Sequence, residues 1–148
     1  MSLFQDFFSS QTMYKKDTLA SYKLSRTLGD GNSAKIISAK TSSKEKVALK
    51  AFKKGHPEEF VLRELQILQR LEHRNLLRLH SCFLHRGSPI LVLERCHSDV
   101  MSLIERRVRL PEPLVKNIIL QVLHGLVIMH SSGMIHHDIK PENILIGY

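Results

Sequence analysis

Polar and apolar positions divide the chain into stretches of different period. Residues 1–20 are mostly polar, with one apolar cluster at Phe4, Phe7 and Phe8. Those spacings of three and four suit one turn of an amphipathic docking helix, but a flexible, frayed leader is the favoured reading. From residue 22 the pattern turns strand-like. Residues 22–28 and 34–41 flank a Gly/Asn/Asp cluster and predict an antiparallel hairpin, and residues 47–52 form a third strand after the polar turn 41–46. His56-Pro57-Glu58-Glu59 breaks that pattern. Phe60, Leu65, Ile67, Leu68 and Leu71 then predict a helix, with two carboxylates near its positive N-terminal end.

Two further strands are predicted over 76–84 and 90–94, joined by the turn His85-Arg86-Gly87-Ser88-Pro89. Ser98 or Asp99 can cap a short helix through Ile104. Pro111-Glu112-Pro113 opens a long helix whose stretch 114–129 is apolar on most sides, the pattern of a buried helix. Gly133 suits the left-handed position just past its end. Residues 135–148 read as loop plus strand. The fold class expected is α+β: a five-stranded antiparallel sheet with one inserted helix, then a run of helices.

Composition adds limits rather than detail. With 148 residues, 43% hydrophobic and 24% charged, the chain is globular in make-up and long enough for a real core. Cys82 and Cys96 are too few for a disulfide framework, which points to a reducing compartment. No apolar run approaches the ~20 residues of a membrane span. The N-terminus carries Asp6 and no basic stretch, and Ser2 rather than glycine follows Met1, so neither a signal peptide nor myristoylation is expected. The expected location is cytoplasm or nucleus, with no membrane partner. A net charge of +8 invites a nucleic-acid reading, yet the 22 Lys and Arg are scattered and tryptophan is absent. A basic surface that attracts phosphates or acidic partners fits better.

Three constellations carry chemistry. Leu28-Gly29-Asp30-Gly31-Asn32-Ser33-Ala34-Lys35-Ile36 places small residues at 29, 31 and 34, where backbone N–H groups can approach phosphates. A strand rather than a helix follows, so the glycines form either a flap over phosphates or a plain hairpin turn. In Val47-Ala48-Leu49-Lys50, alternation puts Ala48 and Lys50 on one face, leaving room for a flat base beside an ammonium; a solvent-facing lysine is the competing reading. Glu64 on the following helix is a candidate to hold Lys50. Near the end, His136-His137-Asp138-Ile139-Lys140-Pro141-Glu142-Asn143 gathers a carboxylate, a cation and an oxygen ligand within six residues. A hydroxyl nucleophile and a transferring phosphoryl group need those three roles. Adjacent histidines on a loop make a poor metal pair, and His73, His80 and His85 have no ligand spacing.

These elements, in this order, resemble the eukaryotic protein kinase family from about residue 22 to the end. The resemblance implies an N-lobe and hinge over 21–96, and a partial C-lobe over 97–148 ending after the catalytic loop. It implies ATP and Mg²⁺ as cofactors and a protein Ser or Thr hydroxyl as acceptor. Gly29, Gly31 and Ala34 would cover the phosphates, Leu28 and Ile36 beside them would also contact the nucleotide, and Lys50 would bind the phosphates while paired with Glu64. Ala48 and Leu93, the latter at the gatekeeper position, would line the base. Glu94 and Cys96 belong to a hinge whose backbone would hold adenine, Cys96 being a small hinge residue rather than a nucleophile. Asp99 resembles the acid that contacts ribose. Asp138 would be the base, Lys140 the phosphate contact and Asn143 a Mg²⁺ ligand. Asp138-Ile139-Lys140-Pro141-Glu142-Asn143 resembles the Ser/Thr branch.

Three departures qualify it. Ala34 stands where a third glycine is usual, a tolerated change. His137 stands where the family has arginine, and histidine cannot offer a bidentate fork to a phosphorylated activation loop. Weak or absent control by that route is therefore expected. Finally, Tyr148 is reached without the Asp-Phe-Gly motif. The 148 residues are thus expected to be inactive or severely impaired as an enzyme. The alternative is a non-catalytic module that binds a nucleotide or a partner, the latter covering apolar surface on the long helix.

Overall fold

The computed structural model describes residues 4, 7, 18–106 and 109–148. Phe4 and Phe7 are helical there, whereas Phe8 and most of the leader lie outside the described residues. The chain forms two compact units, Met1–Arg70 with Arg78–Arg95, and Leu71–Leu77 with Cys96–Tyr148. The assignment of Leu71–Leu77 to the second unit was not expected.

The first unit is built on β1 (Lys23–Asp30), β2 (Ala34–Lys40), β3 (Lys46–Phe52), β4 (Leu79–His85) and β5 (Ser88–Glu94), with helix α1 (Glu58–Arg70) between β3 and β4. The strands are antiparallel in the order β1-β2-β3-β5-β4. β4 starts three residues later than the apolar run predicted, because Leu76 closes a turn onto the His73 carbonyl at 2.9 Å instead.

Facing residues in an antiparallel ladder share a side of the sheet, so register sorts the side chains. One side carries the core cluster of Tyr22, Ala39, Val47, Leu49, Phe83, Ile90 and Val92, with Tyr22 and Phe83 stacked at 5.4 Å. The other side carries three rows: Gly29, Ile36 and Lys50; Ser38, Ala48 and Leu93; and Lys23, Lys40 and Lys46. Along β1 the register slips twice, since Ser25 and Arg26 together face the single Ser38 and one more residue is gained before Gly29. Such bulges bend a strand and raise its twist.

The β4–β5 hairpin turns through Arg86 and Gly87, both at positive φ (50° and 79°). That is the two-residue turn whose twist matches the strands, and its first position favours asparagine over a long side chain. Arg86→Asn is expected to stabilise the unit by roughly 0.5 kcal/mol. A urea midpoint that falls instead would contradict this account of the turn.

The second unit holds the short strands β6 (Ser98–Asp99) and β7 (Leu145–Ile146), helix α2 (Val100–Arg106) and helix α3 (Glu112–Ser131). β6 and β7 pair antiparallel. The α3 end is closed as the sequence suggested: Gly133, at φ 73°, donates to the His130 carbonyl, and Met134 reaches back to that of Met129. At Gly125 the loop Leu71–Leu77 comes close, for a Cβ there would lie 2.9 Å from the Asn75 carbonyl oxygen. Only glycine admits that approach, and this is what ties Leu71–Leu77 to the second unit.

Two expectations about α3 need correction. Its apolar pattern by itself predicted a buried helix, with part of that surface left for a partner; only Gly125 and Met129 are buried, while Val115, Ile119, Leu120, Leu123 and Val127 stay exposed. Within this unit the short loop covers little beyond the strip at Gly125. By length and composition α3 is also the one described helix long and apolar enough to cross a membrane. The run was underestimated because Asn117, Gln121 and His124 interrupt it in sequence, although they fall on one side of the helix at spacings of four and three. Core helices of globular domains meet the same criterion.

Candidate functional site

In the first unit, the glycine hairpin, β3 and α1 converge on one side of the sheet. Neither Gly29 nor Gly31 has a positive φ, and a Cβ at either would meet its nearest neighbour at 3.9 or 3.7 Å, an ordinary contact. The hairpin therefore does not require glycine at these positions. Gly31 donates to the Ala34 carbonyl at 3.1 Å, and Ala34 is buried. Gly29, Ile36 and Lys50 stand in one row across three strands, and Ala48 faces Leu93, both of these buried. Leu28 is half-buried on β1.

Lys50 Nζ donates to Glu64 Oε1 at 2.5 Å, with the lysine side chain only 20% exposed. Glu64 lies on the same side of α1 as the buried Val61 and Leu65, spacings of three and one that turn it toward the sheet. The ammonium also sits 5.1 Å from the centre of the Phe52 ring. A half-buried lysine held by one carboxylate points in a fixed direction. At the end of β5, Glu94 is already engaged: its N–H donates to the Arg78 carbonyl at 3.0 Å, and its carboxylate accepts the Arg78 N–H at 2.7 Å.

In the second unit, Asp138, Lys140 and Asn143 meet. Pro141–Asn143 forms a single 3-10 turn that brings Asn143 back beside Asp138. Asn143 Nδ2 donates to Asp138 Oδ2 at 2.8 Å and to its backbone carbonyl at 2.9 Å. Lys140 Nζ lies 3.0 Å from the same Oδ2. Asp138 Oδ1 takes part in neither bond, and the Asn143 amide oxygen is an acceptor that a cation could use. His137, at φ 63°, takes the left-handed conformation that histidine tolerates better than most residues. His136 Nδ1 accepts the Asp138 N–H at 3.2 Å, which leaves the ring proton on Nε2.

The hydrogen bond from Lys140 does most to hold the Asp138 carboxyl below the usual carboxylate range, with Asn143 adding to it, and the same contact raises Lys140. Asp138 is thus ionised throughout the neutral range, a weak base suited to orienting a hydroxyl and taking its proton late. In a carbon-13 titration its carboxyl is expected to change below about pH 3.9, the ordinary value. In Lys140→Met the midpoint moves up. An unchanged midpoint in the variant would remove Lys140 as the cause.

A protein kinase domain model matches residues 22–148. The chain belongs to the protein kinase domain family. It is similar to CBL-interacting protein kinase 30 of Oryza sativa subsp. japonica, 35% identical over 132 residues that make up 84% of this chain and 28% of that protein. CBL-interacting serine/threonine-protein kinase 7 of Arabidopsis thaliana is 33% identical over 150 residues, 96% of this chain and 35% of the relative. Human serine/threonine-protein kinase MAK is 33% identical over 129 residues, 84% of this chain and 21% of the relative. The chain thus spans about a third or less of the length of these curated relatives.

In this kinase-family chain Asp99, expected at a ribose and also as one of two candidate caps of the short helix, does cap α2, with Oδ1 accepting the Ser102 N–H at 2.7 Å and Oδ2 the Ser102 hydroxyl at 2.8 Å. The grip of Asn143 on Asp138, and that of His136 on its N–H, had no signal beyond proximity in sequence. Cys96 is half-buried at the start of the second unit. By contrast Cys82 is fully buried, and burial pushes its thiol up to about 12.

Proposed function

We propose that the chain binds Mg²⁺-ATP and carries the machinery of an ATP-dependent Ser/Thr protein kinase. The observation that most supports this reading is the pair Gly29 and Gly31, glycines for which the fold has no need. Gly29 shares one side of the sheet with Ile36 and with a lysine held by Glu64. Side-chain-free backbone near a directed ammonium suits a polyphosphate better than a plain turn does.

In this reading Gly29, Gly31 and Ala34 cover the phosphates, Leu28 and Ile36 contact the nucleotide beside them, and Lys50 contacts the phosphates. Ala48 and Leu93 line the base. The hinge after Leu93 supplies backbone to adenine, beyond the Glu94 N–H that Arg78 already occupies. Asp99 is assigned to ribose, Asn143 to Mg²⁺ through its amide oxygen, and Lys140 to phosphate. Asp138 receives the proton of a Ser or Thr hydroxyl on Oδ1, the oxygen left clear of Lys140 and Asn143. When bound, Mg²⁺-ATP supplies the phosphoryl group and neutralises its developing charge. Cytoplasm or nucleus is the proposed location.

A second reading is a non-catalytic module. It is favoured by the exposed apolar side chains of α3, which suit a protein partner. Nucleotide binding, which the first reading requires and the second allows, is tested by a thermal-shift titration. Saturating Mg²⁺-ATP is expected to raise the melting temperature, since about 2.7 kcal/mol is gained at a hundredfold excess over Kd. Lys50→Met is expected to lose most of that rise. No shift at millimolar ATP would sink the nucleotide assignment.

A further inference from the structure

A second polar site lies wholly within the second unit. The loop Leu71–Leu77 and helix α3 border an open cleft of about 400 Å³ lined by His73, Arg74, Asn75, Asn117, Gln121 and His124. No carboxylate lines it. Three α3 residues reach it from one side of the helix, and the loop is seated on Gly125. An amide chain joins the two walls: Asn75 Nδ2 donates to Gln121 Oε1 at 3.1 Å, and Gln121 Nε2 donates to Asn117 Oδ1 at 3.3 Å. Asn117 Nδ2 is therefore not the group used in this chain.

The same loop fixes a histidine. His73 Nδ1 accepts the Asn75 N–H at 3.2 Å, so the ring presents Nε2–H as a donor. Arg74 adds a guanidinium fork and His124 a second imidazole. Net charge does not account for this grouping. In sequence the second unit has six basic residues (Arg74, Arg106, Arg107, Arg109, Lys116, Lys140) against six acidic ones (Glu72, Asp99, Glu105, Glu112, Asp138, Glu142). The +8 of the chain therefore resides in the first unit. A cleft lined by nitrogen donors on an otherwise neutral unit is a selective feature.

We propose that this cleft binds a phosphate monoester, the guanidinium of Arg74 pairing with the anion while His73, His124 and Asn117 Nδ2 supply further donors. A tetrahedral dianion can use donors arriving from loop and helix together, whereas a planar carboxylate is satisfied by one fork. The volume leaves room for the group that bears the phosphate. The site shares no residue with those assigned to ATP, so it stands or falls apart from the nucleotide reading.

The test is a nitrogen-15 NMR titration of the 148-residue chain, read at the His73 and His124 side chains. The probes are O-phosphoserine, inorganic phosphate and acetate. Saturable shifts with both phosphates, at least about tenfold tighter than with acetate, are expected. Phosphoserine binding more tightly than inorganic phosphate would support the site with a peptide-borne group as its ligand; equal affinities would support it with free phosphate. Arg74→Ala, at an exposed position, is expected to weaken phosphoserine about tenfold or more while the rest of the spectrum is unchanged. Shifts that rise linearly without saturation, acetate binding as tightly as phosphate, or an Arg74→Ala affinity equal to that of the parent would each overturn the proposal.

Discussion

Phe83→Ala is expected to lower the stability of the first unit by about 3–5 kcal/mol. Phe83 is completely buried, stacks on Tyr22 and is a member of the cluster on the side of the sheet opposite Lys50. Removing its ring deletes apolar burial and leaves a void among Tyr22, Ile90 and the rest of the cluster that close-packed neighbours fill only in part. Small domains hold only about 5–15 kcal/mol in all, so this one change consumes a large share. Phe60→Ala is the control: its side chain is 52% exposed, and a loss below about 1 kcal/mol is expected. Urea denaturation followed by far-ultraviolet circular dichroism compares the two. If they melt alike, the cluster is not the core.

Phosphoryl transfer is the second large effect. From radiolabelled ATP to a generic basic protein, the 148-residue polypeptide is expected to transfer nothing, or a trace. Asn143 offers one neutral oxygen ligand, and the carboxylate that the family resemblance implies for the principal Mg²⁺ is not among the 148 residues. Loss of a group that neutralises charge in the transition state costs far more than loss of a binding contact. Any trace is expected to fall a further ~10²–10⁴-fold in Asp138→Asn, which keeps the shape but cannot accept a proton. Robust transfer by the parent, abolished by both Lys50→Met and Asp138→Asn, would overturn the expectation of impairment.

Much of this was legible because the informative residues are local in sequence. Alternation in Val47-Ala48-Leu49-Lys50 is enough to put Ala48 and Lys50 on one face, and Asp138, Lys140 and Asn143 lie within a few residues of one another. Turn chemistry was readable for the same reason, as at Gly133. What escaped depended on partners far along the chain. No periodicity announces that Gly125 admits the Asn75 carbonyl, or that Asn75 bonds to Gln121 across a separation of 46 residues. Helix α3 misled in the other direction. Its composition reports what surface it would bury given a neighbour, not whether one is present. The hairpin glycines were ambiguous in sequence for a physical reason: turns and phosphate flaps both favour glycine, and only the dihedral angles and the space at each Cβ separate them.

The slipped register of β1 has a consequence for the chain as it folds in a crowded cell. Among the described residues β1 pairs on one side only, with β2, so its outer N–H and C=O groups are an open template for a foreign strand. A flat apolar edge would invite stacking into fibrils. Here two extra residues distort the hydrogen-bonding rhythm within a single eight-residue strand, and Lys23 and Arg26 set positive charge along it. An incoming copy would have to match an uneven ladder and bring like charges together. The same strand that carries Gly29 is thereby poorly suited to recruit another molecule of itself, a safeguard against amyloid-like growth written into the edge of the sheet.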